Sequence, residues 1–353
     1  MSEPTTTPPA PGSDVAGATS TVVGDSSATQ SHSKRFFASA AGRSIGLVIA
    51  LVVLVIVGAV TAGDTFMNVD NFLVILRLAS VIGVVAIGMT FVITAGGIDL
   101  SVGSVLGLTT VVASLGAVQT AASGFWPLMV FVAIAVGVIA GLVNGLVIAY
   151  GKVVAFMATL AMLVAARGVA ELISQRQTQV VNNSGFLDFF RSDFLGISWV
   201  VWIFAIVAIL AWVLLNRTTF GRRTVAIGGN ENATRLAGVK VRRHTVYLYM
   251  LCGGTAGIAG TMLLSRTTAG TSTHGGLYEL DAIAAVVVGG TLLIGGRGTI
   301  GGTVLGVLLF ATLTNVFTQN NMSTSVQLVA KGIIIVVAVL LQQRFANRES
   351  SSK

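Results

Sequence analysis

The chain has 353 residues, 54% hydrophobic and 10% charged, with a net charge of +8 and a mean hydropathy of +0.88. An ordinary soluble domain carries about 25% charged residues, so this composition excludes one. Cys252 is the lone cysteine, and His32, His244 and His274 are scattered, which leaves neither a disulfide framework nor a clustered metal site.

Residues 1 to about 40 hold four of the five prolines among Ser, Thr, Gly and Ala. That composition is too poor in large apolar residues for a packed core and predicts a disordered tail. Apolar runs then recur at 45–62, 73–95, 102–121, 127–149, 153–173, 198–215, 244–265, 280–296, 299–318 and 325–342. A helix of about 20 residues crosses the ~30 Å hydrocarbon core. The expected fold class is all-α: a polytopic membrane protein with about ten transmembrane helices, one or more broken, and both termini cytoplasmic. The membrane domain covers 41–344, with a long cytoplasmic loop at 216–243 and a short tail at 345–353.

Orientation follows from the basic residues, which cytoplasmic loops retain. On this topology Lys34, Arg35, Arg43, Lys152, Arg217, Arg222, Arg223, Arg235, Lys240, Arg242, Arg243, Arg297, Arg344, Arg348 and Lys353 are inside, against Arg176, Arg191 and Arg266 outside. The positive charge is thereby explained by the membrane, and no nucleic-acid partner is expected.

Glycine is abundant, at 42 residues. Gly137, Gly141 and Gly145 share one helical face, as do Gly253 and Gly257. Small residues at this spacing let helix backbones approach closely in lipid. Two glycine-rich stretches also resemble each other: Gly96-Gly97 with Gly103-Ser104-Val105-Leu106-Gly107, and Gly295-Gly296 with Gly302-Thr303-Val304-Leu305-Gly306. Either an internal duplication or chance in a Gly/Val/Leu-rich chain accounts for them.

The run Gly88 to Ser104 contains Gly96-Gly97 and then Asp99 and Ser101. One reading is a discontinuous helix lining a transport route, with Asp99 and Ser101 capping the next helix; the other is a plain turn at the cytoplasmic surface. Ionisable residues inside spans each cost about 2.5–3.5 kcal/mol at a helix centre. Arg167 and Glu171, four apart, are expected to pair. Arg77 and Lys331 are expected to snorkel to the surface, and Glu279 and Asp281 to sit at an outer mouth. There they serve a helix start, sugar hydroxyls or a protein partner.

In the 216–243 loop, Gly228-Gly229-Asn230-Glu231-Asn232-Ala233-Thr234-Arg235-Leu236-Ala237-Gly238 reads as a short helix. Asn230 caps its start, Glu231 suits the positive end of the dipole and Gly238 terminates it. Ala233, Leu236 and Ala237 then form an apolar stripe that lies on the membrane or docks into a partner. A P-loop ends in Gly-Lys-Ser/Thr, whereas Gly151-Lys152 is followed by Val153, so the chain is not that kind of ATPase. Gly296-Arg297-Gly298-Thr299-Ile300-Gly301 fits a dinucleotide pattern but lies between apolar spans with no acidic residue about 20 positions on, and reads as a turn.

The Gly88–Ser104 run, the Gly228–Gly238 loop, and Glu279-Leu280-Asp281-Ala282-Ile283-Ala284-Ala285-Val286-Val287-Val288-Gly289-Gly290 followed by Gly295-Gly296-Arg297-Gly298 together resemble the permease subunits of ribose-type ABC sugar importers. The similarity runs from about residue 70 to about 340. It departs from the family before Glu279, where Thr271-Ser272-Thr273-His274-Gly275-Gly276 lacks the usual proline. The resemblance implies a non-enzymatic translocation subunit in a bacterial plasma membrane, without cofactor or catalytic residue. It implies as partners a second permease chain, ABC ATP-binding subunits and an extracytoplasmic sugar-binding protein. It makes Asn230, Glu231, Ala233, Arg235, Leu236 and Gly238 the coupling residues toward the ATPase, and His274, Glu279 and Asp281 the binding-protein contacts. Candidates for the path are Phe91, Gly96, Gly97, Asp99, Ser101, Asn182, Asn183 and Phe186. A self-contained channel or secondary transporter, using Asp99, Glu171 or Lys331, is the alternative; an intramembrane enzyme is disfavoured because no nucleophile stands beside a base.

Overall fold

The computed structural model describes residues 40–350. The tail expected over 1–40 lies outside the described residues apart from Ala40, as do 351–353. The helices are α1 (Ala40–Met67), α2 (Val69–Thr94), α3 (Val102–Ser114), α4 (Gly116–Ala121), α5 (Pro127–Ala149), α6 (Ala155–Ser174), α7 (Ser184–Arg191), α8 (Trp199–Arg217), α9 (Thr219–Gly229), α10 (Glu231–Leu236), α11 (Val241–Thr267), α12 (Tyr278–Val288), α13 (Ile300–Gln319) and α14 (Thr324–Ser350). Among the described residues, seven helices are long and apolar enough to cross a membrane: α2, α5, α6, α8, α11, α13 and the Ile45–Met67 part of α1. The chain is a polytopic all-α membrane protein.

Three expected spans take another form. The 102–121 run divides at Leu115 into α3 and α4; α3, at 13 residues, is about 20 Å long and too short to cross alone. The 280–296 run is helical only to Val288, because Gly290, Gly295 and Gly296 adopt positive φ of 91°, 86° and 78°. The 325–342 run lies within a 27-residue helix that continues to Ser350, so residues 345–350 extend it rather than forming a separate tail.

Packing begins with glycine. The two stripes of α5 and α11 face each other, so that a Cβ on Gly145 would lie 2.7 Å from the Val246 Cα and one on Gly257 2.6 Å from the Ala133 carbonyl oxygen. Gly137 and Gly253 are each seated on the other's carbonyl. Van der Waals contact between backbones thus replaces the hydrophobic drive that lipid withholds. Against this pair lies α2, buried almost continuously from Ala79 to Thr94.

Polar groups between helices are paired. Asn71 Nδ2 donates to Asn315 Oδ1 at 3.1 Å, Asn315 Nδ2 returns the bond at 2.8 Å, and Gln319 Nε2 adds a third to Asn71 Oδ1 at 3.0 Å, tying α2 to α13. At the same end Trp126 stacks on Phe189 at 4.6 Å beside Phe186 and Phe190, anchoring the short α7. A two-stranded ladder, β1 (Gln179–Val180) with β4 (Ala269–Gly270), pairs antiparallel there. Strands β2 (Asp193–Phe194) and β3 (Ile197–Ser198) form a hairpin whose turn residues Leu195 and Gly196 both have positive φ. Lys152, Arg235, Arg242 and Arg243 gather around the opposite, basic end.

Substituting Gly141 by Leu drives a side chain into the Tyr249 backbone and separates α5 from α11. Overpacking of this kind costs about 1–3 kcal/mol or more. The unfolding temperature in detergent falls sharply, whereas Gly46→Leu, which meets nothing within 4 Å, leaves it unchanged.

Candidate functional site

Two interruptions of helix meet inside the bundle. After Thr94 the backbone leaves α2 through Gly96, at φ 81°, and is non-helical until Val102. Asp99 and Ser101 are each 1% exposed, whereas Gly96 is exposed. Asp99 Oδ1 accepts the Ser101 amide at 2.9 Å and the Ser101 hydroxyl at 2.6 Å. Ser101 Oγ in turn accepts from Asn144 Nδ2 at 2.9 Å, and Tyr249 donates to the Ile98 carbonyl at 3.1 Å. The expected cap on α3 is accordingly half present: Asp99 holds the amide of Ser101, while the Ser101 side chain is spent on Asp99 and Asn144 and makes no cap bond. Non-helical backbone at membrane depth survives where protein supplies such partners.

The second interruption is the segment 268–277, expected as an outer loop. It runs instead along α3, bounded by left-handed Thr268 and Leu277 at φ 55° and 67°. Gly270 sits on the Thr110 backbone, the Thr271 carbonyl accepts from Thr110 Oγ1 at 3.4 Å, His274 Nδ1 lies 3.2 Å from that hydroxyl, and Gly275 rests on Gly103. The chain then turns into α12, so α3 and α12 start side by side, with Glu279 against Gly103. His274 is half-buried against Thr110, and Asp281 is paired with Lys331 at 3.1 Å.

One expected partnership and one expected surface position are rearranged, while Arg77 stays half exposed as expected. Arg167 does not pair with Glu171; it donates to the Ser272 carbonyl and to Ser104 Oγ at 3.3 Å, while Glu171 takes Arg176 at 3.1 Å. Tertiary acceptors on α3 and 268–277 outcompete the four-residue spacing. Lys331 does not snorkel but meets Asp281 across α12 and α14, with side chains 14% and 17% exposed. Arg77 pairs with Asp193 at 3.6 Å.

At the basic end the residues expected to couple to the ATPase, Asn230 to Gly238, form a single unit, the foot of the bundle. Asn230 Oδ1 accepts the Ala233 amide at 2.9 Å, Glu231 and Arg235 pair, and Gly238, at φ 84°, stops α10 by donating to the Arg235 carbonyl at 3.0 Å. Ala233 and Ala237 are exposed and Leu236 is 90% exposed. One residue before Asn230, α9 ends in a backbone junction. Gly228 abuts the Thr94 carbonyl, Gly296 N donates to that same oxygen at 2.9 Å, and a Cβ on Gly295 would lie 2.8 Å from Gly96 N and 2.9 Å from Gly228 O. The two resembling glycine stretches therefore touch. A cavity of about 450 Å3, lined by Gly96, Gly97, Lys152, Glu231, Arg235 and Tyr249 among others, separates foot from break.

Of the remaining expected residues, Asn182 and Asn183 line a polar hollow with Gln119 and Ser123 at the opposite end. Asn183 is engaged as the cap of α7 through Phe186 N at 3.0 Å. Phe91 and Phe186 are 1% and 0% exposed, held by Phe220 and Trp126, and offer no ring face to a solute in this conformation. Sequence reading left out Ser104, Asn144, Tyr249 and the partners of Arg167. An asparagine in the apolar α5 and a charge deep in α6 were the available signals. Replacing Asn144 with Leu strips the donor from Ser101 Oγ and lowers stability by about 1–3 kcal/mol, read as a drop in detergent unfolding temperature that Asn144→Gln partly restores.

The model of the family described as branched-chain amino acid transport system permease component matches residues 71–339. The ribose import permease protein of Bacillus subtilis (strain 168) is 41% identical over 318 residues, covering 89% of this chain and 97% of that protein. Its counterpart in Escherichia coli (strain K12) is 39% identical over 316 residues, 88% of this chain and 97% of the relative. The galactose/methyl galactoside import permease protein of Haemophilus influenzae is 35% identical over 310 residues, 83% of this chain and 92% of that one. No solved structure matches the chain. A match of this extent makes the chain a member of this transport permease family, and within it of the ribose-type ABC importer permeases.

Proposed function

We propose that this chain is the membrane-spanning half of an ATP-driven importer, carrying a monosaccharide or related polyol inward across a bacterial plasma membrane. The reading has ten membrane crossings or half-crossings over 41–344, both termini and the basic end cytoplasmic, and a second permease chain completing the path. The fifteen-to-three distribution of basic residues supports that orientation. The sugar class follows from the relatives named for ribose and galactose. ATP hydrolysis belongs to a separate subunit, since the chain has no Gly-Lys-Ser/Thr turn. An extracytoplasmic binding protein delivers the sugar to the end that holds Asn182.

The observation that carries the reading is the foot. Leu236, 90% exposed, stands beside exposed Ala233 and Ala237 on a capped helix at the basic end, a small apolar stripe that fits a protein groove. The 216–243 coupling loop places Leu236, with Ala233 and Arg235, in a groove of the ATP-binding subunit. Movement of that subunit reaches Gly96, Gly97 and Asp99 through the Gly228–Thr94–Gly296 junction, where no side chain intervenes to absorb it. Opening and closing of the break then alternates the path between the two faces.

In the assembled importer, Arg235→Ala combined with Leu236→Asp cuts ATP-driven uptake of labelled ribose at least about tenfold and weakens co-purification of the ATP-binding subunit. Normal uptake with normal assembly contradicts the coupling role. Uptake that survives ATP depletion or follows an ion gradient favours a self-contained transporter instead.

A further inference from the structure

The end of the bundle opposite the foot holds few basic residues, yet they are not spread evenly. Arg191 and Arg266, two of the three arginines that the topology puts outside, converge with Arg77 on one cavity of about 250 Å3, which Ser198, Ser265 and Thr268 also line. Asp193 is the acid at hand, and it reaches Arg77, at 3.6 Å. Among the described residues Arg191 and Arg266 enter no ion pair. Each stands in the last turn of a helix, α7 and α11, where a cation suits the negative end of the dipole. That preference accounts for each arginine singly and not for three around one hollow.

Two further groups at the cavity are unspent. The 19-residue α8 begins there without a side-chain cap, and the amides of a first turn have no acceptor within their own helix. Ser198, 7% exposed, makes no side-chain hydrogen bond among the described residues, whereas Ser265 Oγ is tied to the Met262 carbonyl at 2.8 Å. Guanidinium groups, a free buried hydroxyl and the positive end of a long helix are all donors. One tetrahedral oxyanion offers acceptors to every one of them.

We propose that Arg77, Arg191, Arg266, Ser198 and the start of α8 bind a phosphate group, supplied by the head group of an anionic phospholipid or by free phosphate. The rim favours the lipid. Phe194 stacks on Trp199 at 5.5 Å and meets Trp202 edge-on at 5.8 Å, and tryptophan rings settle at the membrane–water boundary. Farther along, α8 exposes Ile206, Ile209 and Leu210 at 51%, 62% and 63%, an apolar surface for acyl chains. The site goes beyond the transport reading. Its placement in the outer leaflet alone rests on the proposed orientation, and binding is measured without it.

The test uses the full chain in detergent, carrying Trp212→Phe so that the remaining tryptophans, Trp126, Trp199 and Trp202, all report on this end. Brominated phosphatidylglycerol, which quenches tryptophan on contact, acts at about tenfold lower concentration than brominated phosphatidylcholine of the same chains. Arg191→Gln and Arg266→Gln each raise its midpoint about tenfold, the loss of one charged hydrogen bond, and Ser198→Ala raises it about threefold. Arg176→Gln, which removes an outer arginine already paired with Glu171, shifts it less than about twofold. This pattern assigns the lipid. A rise in unfolding temperature with inorganic phosphate that Arg191→Gln and Arg266→Gln abolish, without preference between the two lipids, assigns the free ion to the same site. Equal quenching by both lipids with no effect of phosphate overturns the proposal, as does a loss in Arg176→Gln equal to those of the cavity variants.

Discussion

Backbone-to-backbone contact through glycine is the constraint on which this structure depends. Lipid gives two helices little reason to associate, so attraction must come from atoms brought very close over a length of helix. The α5–α11 seam achieves this with Gly137, Gly141, Gly145, Gly253 and Gly257, each seated on a carbonyl or Cα of the other helix or of its neighbour in the stripe. With that seam in place, α2 can be buried on several sides at once, and the break at its end acquires a rigid wall containing Asn144 and Tyr249.

The same device recurs where the chain is not helical. Gly103 and Gly275 let the 268–277 segment lie on α3, and Gly228, Gly295 and Gly296 let three chain reversals share one oxygen, that of Thr94. A non-helical backbone inside a membrane leaves amides and carbonyls to be satisfied, and close approach puts partners within reach. Rigidity and polarity are thereby joined: the places where the bundle is interrupted are also where Asp99, Arg167 and Glu279 find room. On the proposed function these interruptions carry the transport path, since a continuous apolar bundle offers a solute nothing to bind and the foot nothing to move.

Much of this was readable in the residues. The long spans follow from hydropathy, the facing stripes from four-residue glycine spacing, and α10 from Asn230, Glu231 and Gly238 at cap positions. The half-length elements were not readable, because an average over about 20 residues sees that 102–121 and 280–296 are apolar but not how deep each segment begins. Arg167 was misassigned for a related reason. Spacing along one helix favoured Glu171, while the acceptors it prefers, Ser104 and Ser272, are 63 and 105 residues away in sequence. Lys331 and Asp281, 50 residues apart, show the same limit. Phe91 and Phe186, candidates for the path by sequence, are buried rings that pack against Phe220 and Trp126, the commoner use of an apolar ring in an apolar chain.

If glycine contact makes foot, break and the 289–299 turn one body, their mutual distances stay fixed while the body moves against the rest. Spin labels at Asn232 on the foot and at Ile294, 79% exposed beside the junction, measure this in the assembled importer with and without a non-hydrolysable ATP analogue. The account predicts an unchanged separation between these two labels and a changed one between Asn232 and a label at Thr120 on the opposite end. A shift between Asn232 and Ile294 with the Asn232–Thr120 distance constant would contradict it.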